Sequence, residues 1–265
     1  MSSNYERTAG SRKHFDAWGI AGWIFLILLL LFTVIPLAWM ISTSLKTQLG
    51  ALQFPPRWIP ANPTLANYKL LLDPTGDIGR TFLRYMGNSL FVATATTVIG
   101  VAVAVPAAYA FSRFKFPGKS SLFYAVLLRN MFPAVIFLIP LFILMRNLHL
   151  VNSYLSLIIT YLTFGLPLSI WLLKGFYDNI PIQLEQAARI DGASRFQAFV
   201  RVVMPLSAPG IVATAIYSFI LAWNEYVYAL TFITDQRKLT VPVVVMFLVL
   251  QKYFVRALTE GAVKQ

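Results

Sequence analysis

Few side chains in this sequence of 265 residues have the chemistry to act on anything, and they fall in three places. The densest is "EQAARIDGASRFQAFVRVVMP", residues 185–205, with two carboxylates and three arginines between two long apolar runs. Its residue types suit a contact better than a reaction. Ala187 and Ala188 allow another surface to come close, and the Glu185 carboxylate can meet a partner's basic group. The alternative is an amphipathic loop helix lying on lipid head groups. The second place is Arg129 with Asn130, inside an apolar run. A charge within a membrane span is costly and faces a cavity or a partner helix. Arg129 lies roughly 12 Å along its helix from Ser121, a depth at the limit of snorkelling to the interface. A translocation path or a subunit contact competes there with snorkelling or structural pairing. The third is "WNEY", where Asn224 and Glu225 could line an outer gate or pair with a neighbour. Cysteine is absent, and His14 and His149 have no spaced ligand partner, so neither a metal centre nor a catalytic residue is expected.

The elements that must position these residues are membrane helices. The chain is 58% hydrophobic and 12% charged, with a mean hydropathy of +0.67; soluble domains carry about 25% charged residues. A net charge of +12 raises nucleic acid as a partner. The basic residues are scattered through loops without any nucleic-acid motif, so anionic lipid head groups fit better. About 20 apolar residues cross a bilayer, and six runs qualify. The first lies between Asp16 and Lys46, too long for a cleavable signal and so a retained anchor, with Trp18, Trp23 and Trp39 toward its ends. The others lie between Arg84 and Arg113, about Ser121 to Met145, between Arg146 and Lys174, after Pro205, and weakly near Leu239 to Val255. The expected fold is therefore an all-α membrane protein of six transmembrane helices. It is one transmembrane domain over 1–265. Lysines and arginines concentrate on the side holding both termini, and the short "SRFKFPGKS" loop places that side in the cytoplasm. That gives a cytoplasmic N-terminus over 1–17, an outer loop over 43–87, a cytoplasmic loop over 178–208 between spans four and five, and a cytoplasmic tail over 251–265. The proline-rich "QFPPRWIPANPTLANY" reads as an ordered cap on the outer face.

Within the 178–208 loop the local signals define a helix pair. Asp178 or Asn179 can cap a first helix that has Pro181 early in it. Asp191-Gly192 ends it, since glycine accepts the left-handed backbone. Ser194 can cap a second helix with Phe196, Phe199, Val200 and Val203 on one face, and Pro205 returns the chain to the membrane.

Glu185, Ala187 and Ala188, then Gly192, then nine residues and "VVMP", resemble the E-x-A-A-x-x-x-G-x(9)-I-x-L-P loop of permease subunits of ATP-binding-cassette importers. Val202 and Met204 stand for the isoleucine and leucine. "STSLKT", "AAYAFSRFKFPGK", "MFPAVIFLIPLF", "AWNEYVYAL" and "GAVKQ" are similar to the carbohydrate-uptake branch, nearest the shorter second permease of maltose-type systems. The resemblance implies that the helix pair is a coupling joint seated in a cytoplasmic ATPase subunit, with Glu185, Ala187, Ala188, Gly192 and Pro205 as its motif positions. It implies that Gly261, Ala262, Val263 and Lys264 reach the ATPase interface. Expected partners are a second homologous permease, two copies of the ATPase, an extracytoplasmic solute-binding protein and the lipid bilayer, with no nucleic acid. ATP and magnesium would be used by the ATPase, because this chain has no phosphate-binding Gly-Lys-Ser/Thr loop and holds no cofactor. The chain is then no enzyme. It is a permease of a bacterial or archaeal cytoplasmic membrane, importing a sugar, sugar alcohol or related polar solute. A non-sugar solute such as a polyamine is the nearest alternative, and a stand-alone secondary transporter the next. Only 13 uncharged residues separate Lys238 from Lys252, roughly 20 Å of helix against the ~30 Å of a bilayer core. The family's "TVPV" opens a longer outer stretch, so residues are expected to be missing within Thr240–Val245.

Overall fold

The computed structural model describes residues 17–248, with side-chain environments from 22 onward. Every regular element among them is helical. The chain forms two compact units, Met1–Asp73 and Pro74–Gln265.

In the first unit α1 spans Ala17–Ser44, with a mean hydropathy of 2.8 over its most apolar 18-residue stretch. It is apolar all round, as a helix whose solvent is lipid must be. Beyond it come α2 (Gln48–Leu52) and α3 (Ala66–Leu72). The proline-rich stretch between them is folded against the end of α1. Asn67 Nδ2 donates to the carbonyls of Ser44 and Lys46 at 2.9 and 2.8 Å, the Thr64 amide donates to Leu45 O at 2.8 Å, and Trp39 meets Trp58 edge-on at 5.0 Å. This segment is ordered, as its proline content predicts.

The second unit is built on α4 (Asp77–Arg113), then α5 (Lys119–Leu128), α6 (Leu138–Asn147) and α7 (Tyr154–Asp178). The short α8 (Ile182–Ile190), α9 (Arg195–Ala198) and α10 (Met204–Leu206) follow, then α11 (Ala208–Asn224) and α12 (Val227–Phe232). Lipid gives no hydrophobic drive for helices to associate, so small residues that let backbones approach take over. Thr96, Gly100, Ala104 and Ala108 recur every four residues along α4; Gly210, Thr214, Ser218 and Ala222 do the same along α11, and all are buried. Packed against both, α7 buries Ser156, Thr160, Gly165 and Ser169, and Ser169 and Ser218 share a hydrogen bond of 3.2 Å. The fit is close enough that a Cβ on Gly210 would stand 2.4 Å from the Phe176 ring.

Among the described residues three helices, α1, α4 and α7, are long and apolar enough to cross a membrane. Two further candidates are bent pairs: Lys119–Met131 with Ala134–Asn147 at 97°, and Arg195–Leu206 with Ala208–Asn224 at 74°. The expected sixth span begins as a helical segment over 241–248. Its first turn is closed by the Val244 amide on Thr240 O at 3.3 Å, so the chain runs unbroken through the stretch where a seam is expected. The rest of that span, and the tail residues Gly261, Ala262, Val263 and Lys264, lie outside the described residues.

Candidate functional site

The loop between α7 and α11 folds as the expected helix pair. Its turn closes through two backbone bonds at the end of α8: the Gly192 amide to Arg189 O at 3.2 Å and the Ala193 amide to Ala188 O at 2.9 Å. This is the paired closure that a left-handed residue completes, and Gly192 supplies it at φ +92°. Ser194 caps α9 in a reciprocal box with Gln197. Two local expectations fail here. Pro181, not Asp178 or Asn179, stands at the cap of α8. The Asp178 carboxylate is held elsewhere, by Ser112 Oγ at 2.6 Å and Lys174 Nζ at 2.5 Å. The predicted four-residue apolar face also splits, with Phe199 and Val203 buried while Phe196 and Val200 are exposed. A π-helical turn over Phe199–Val203 causes this. Its wider i→i+5 spacing shifts the phase of the helix, so the 3.6-residue period no longer aligns the four.

Glu185 is the buried residue of α8. Its carboxylate takes a hydrogen bond from the Tyr109 hydroxyl at 2.8 Å and forms an ion pair with Arg113 Nε, both in the C-terminal turns of α4. Arg113 Nη2 also donates to Ile180 O at 2.7 Å. The carboxylate is thus turned into its own chain. Ala187 is exposed and Ala188 half-buried, while Ile190 and Phe196 are 85% and 73% exposed. Pro205 begins the return to α11 in the first turn of α10. Sequence reasoning misses Arg113, Tyr109 and Ile190. Arg113 closes an apolar run with Tyr109 four residues before it, a spacing that puts both on one helix face and was available as a signal.

The other two candidate positions are brought together. Arg129 and Asn130 sit at the break between α5 and α6, in a 3-10 turn over Arg129–Met131. The Arg129 guanidinium lies 3.4 Å over the Phe164 ring and 5.6 Å from Phe137, and Nη1 donates to Asn130 Oδ1 at 2.9 Å. Nη2 is buried with no hydrogen-bond partner among the described residues. Glu225 sits at the break between α11 and α12, where its carboxylate accepts the amides of Tyr228, at 3.0 Å, and Ala229, at 3.3 Å. Asn224 instead turns back to Ile220 O at 2.9 Å. Tyr228 joins the two breaks: its hydroxyl donates to Ala134 O at 2.6 Å and its ring meets Phe164 at 5.2 Å. The unpartnered Nη2 edge of Arg129 is the donor that this cluster could offer to a hydroxyl or carbonyl oxygen. Among the described residues no group of three or more His, Cys, Asp or Glu could hold a metal ion.

Residues 97–253 match the family described as "Binding-protein-dependent transport system inner membrane component". The trehalose transport system permease protein SugB of Mycobacterium tuberculosis is 36% identical, covering 88% of this chain and 93% of its own. The trehalose/maltose transport system permease protein MalG of Thermococcus litoralis is also 36% identical, with 90% and 94% covered. A probable ABC transporter permease protein, y4oR, of Sinorhizobium fredii is 32% identical, covering 100% of this chain and 99% of its own. That alignment runs over 290 positions and takes in all 265 residues here, so roughly 25 of its positions have no counterpart in this chain. In fold, the chain is similar to a bacterial ABC transporter involved in the import of the acidic polysaccharide alginate, with a TM-score of 0.74 at 23% identity over 91% of this chain and 82% of that one.

Proposed function

The chain belongs to the family of inner membrane components of binding-protein-dependent transport systems, and on that premise we propose that it is a permease subunit of an ATP-driven importer, forming half of the path for a sugar, a sugar alcohol or a related polar solute. The carrying observation is the relatedness to two permeases named for trehalose and for trehalose and maltose, at 36% identity over about nine-tenths of each chain. A transport permease is not an enzyme; ATP and magnesium are used by a separate cytoplasmic ATPase, present in two copies. A second homologous permease completes the path, and an extracytoplasmic binding protein delivers the solute. The protein spans the cytoplasmic membrane six times with both termini inside. The five candidate spans and the helical start at 241–248 support that count.

In this arrangement α8 and α9 are the coupling joint. Ala187 and Ala188 give the close approach, Gly192 and Pro205 set the angles at the two ends, and Glu185 fixes the helix. The tail Gly261–Lys264 reaches the ATPase. The two helix breaks carrying Arg129, Asn130, Asn224 and Glu225 border the solute path, with the ring faces of Phe164 and Tyr228 between them. The test is reconstitution in proteoliposomes with the second permease, the ATPase and the binding protein, measuring uptake of labelled trehalose, maltose and a polyamine. ATP-dependent uptake of a disaccharide is expected. Uptake of the polyamine alone, or solute movement without ATP, would overturn the proposal.

A further inference from the structure

The Glu185 carboxylate is occupied twice from one helix turn. Tyr109 and Arg113 stand four residues apart on α4, so both reach the same side, and both end on Glu185. The Arg113 and Glu185 side chains are only 10% and 9% exposed. Between them on α4, Ser112 holds Asp178 at 2.6 Å, and Arg113 holds the Ile180 carbonyl at 2.7 Å. One turn of α4 therefore grips the chain at 178, 180 and 185, from the last residue of α7 into α8.

Nearer its N-terminal end, about three turns in from Asp77, α4 is gripped too. Asn88 Nδ2 donates to the carbonyls of Arg237 and Leu239, both at 2.9 Å, while its Oδ1 accepts from Tyr154 Oη at 2.8 Å. Ser89 Oγ accepts the Val241 amide at 2.8 Å. From Ser89 to Tyr109 is roughly 30 Å of helix, the thickness of the hydrocarbon core. A single continuous helix thus holds the coupling loop at one membrane face and the turn before the last helical segment at the other.

We infer that Arg113 and Tyr109 are positioning residues that fasten α8 to α4, so that displacement of the coupling joint passes into α4 and along it to the 237–241 turn. The inference rests on α8 and α9 being the joint to the ATPase. A buried ion pair that only served packing could be lost with a general fall in stability. A fastening does something else: its loss leaves the ATPase docked and turning over while the stroke no longer moves the helices.

The experiment uses the reconstituted complex and reads solute taken up per ATP hydrolysed, with the amount of ATPase co-purifying as a second readout. Arg113→Gln should lower uptake per ATP by about tenfold or more, since it leaves a desolvated carboxylate without its cation, at unchanged ATPase co-purification. Arg113→Lys should restore part of the ratio, because a lysine can reach one of the two acceptors but not both. Where Arg113→Gln reduces the yield of complex, Tyr109→Phe removes only the hydroxyl and decides on the same ratio, with a fall of a few-fold expected. Gly192→Val is the reference for the joint itself. A wild-type ratio in both Arg113→Gln and Tyr109→Phe, with Gly192→Val uncoupled, overturns the fastening and leaves the joint standing. A wild-type ratio in all three overturns the joint as well. A parallel loss of ATPase co-purification and uptake, at an unchanged ratio, assigns Arg113 to stability alone and overturns the inference.

Discussion

Substitution of Gly192 isolates the backbone contribution to the turn between α8 and α9, the proposed coupling joint. An added Cβ would meet nothing within 4 Å, so steric crowding contributes nothing. The cost is set by φ +92°, in the left-handed half of backbone space. For an ordinary L-residue that conformation costs about 1–2 kcal/mol, which reduces the population of the closed turn by roughly 5- to 30-fold. Asparagine tolerates positive φ better than alanine, and a β-branched residue tolerates it worst. The expected order of transport activity is therefore Gly, Asn, Ala, Val, an order that tracks neither volume nor polarity. The assay is uptake and ATP turnover in reconstituted complexes of Gly192→Asn, Gly192→Ala and Gly192→Val. Uptake should fall along the series while the amount of membrane-inserted protein stays constant, because the residue lies outside every span. Equal activity of Ala and Gly, or Asn as impaired as Val, would refute the backbone argument. Turn closure would then not be what Gly192 contributes.

Other consequences of the packing are open to direct measurement. Gly210→Ala should lower the melting temperature of the complex, since overpacking costs about 1–3 kcal/mol, and Phe176→Ala should recover part of it by removing the ring 2.4 Å away; an unchanged melting temperature would mean that α7 and α11 part freely. Arg129→Gln should leave insertion intact or improved, because a charge in a span costs at least about 2.5 kcal/mol, yet it should reduce solute uptake; loss of insertion with no specific transport defect would make Arg129 a structural residue. Asn88→Ala removes two donor bonds to the 237–239 carbonyls, each worth about 1 kcal/mol, and should speed protease cleavage at Arg237 or Lys238, with an unchanged rate counting against that tie.

How much of this was legible in the sequence depends on how far apart the partners lie. The Gly192 turn and the Ser194 cap were readable because each is completed within six residues. The role of Glu185 was not, because its cation is 72 residues away along the chain. Asp178 was misassigned for the same reason: its bond to Ser112 crosses 66 residues, and a free cap was the best local guess. The face of α9 failed where a π turn broke the period on which the face was drawn. Arg129 and Glu225 each stood out as costly polar groups in apolar runs, but nothing local shows that Tyr228 bridges their two breaks. The four-residue rows of small side chains on α4 and α11 were in plain sight, and they set the packing of the bundle. The shortness of the last span was also visible, as the 13 uncharged residues between Lys238 and Lys252.

The stacking of Arg129 on Phe164 bears on energetics beyond binding. Among the described residues its guanidinium carries a full charge that no carboxylate neutralises in an ion pair. A charge held inside the bilayer by ring faces is subject to the membrane voltage, at about 2.3 kcal/mol per 100 mV for passage through the whole field. If the break at Arg129–Met131 shifts during the cycle, the resting potential does work on that step, favouring the state that carries the arginine toward the negative interior. An importer powered by ATP would then also respond to voltage, through one side chain.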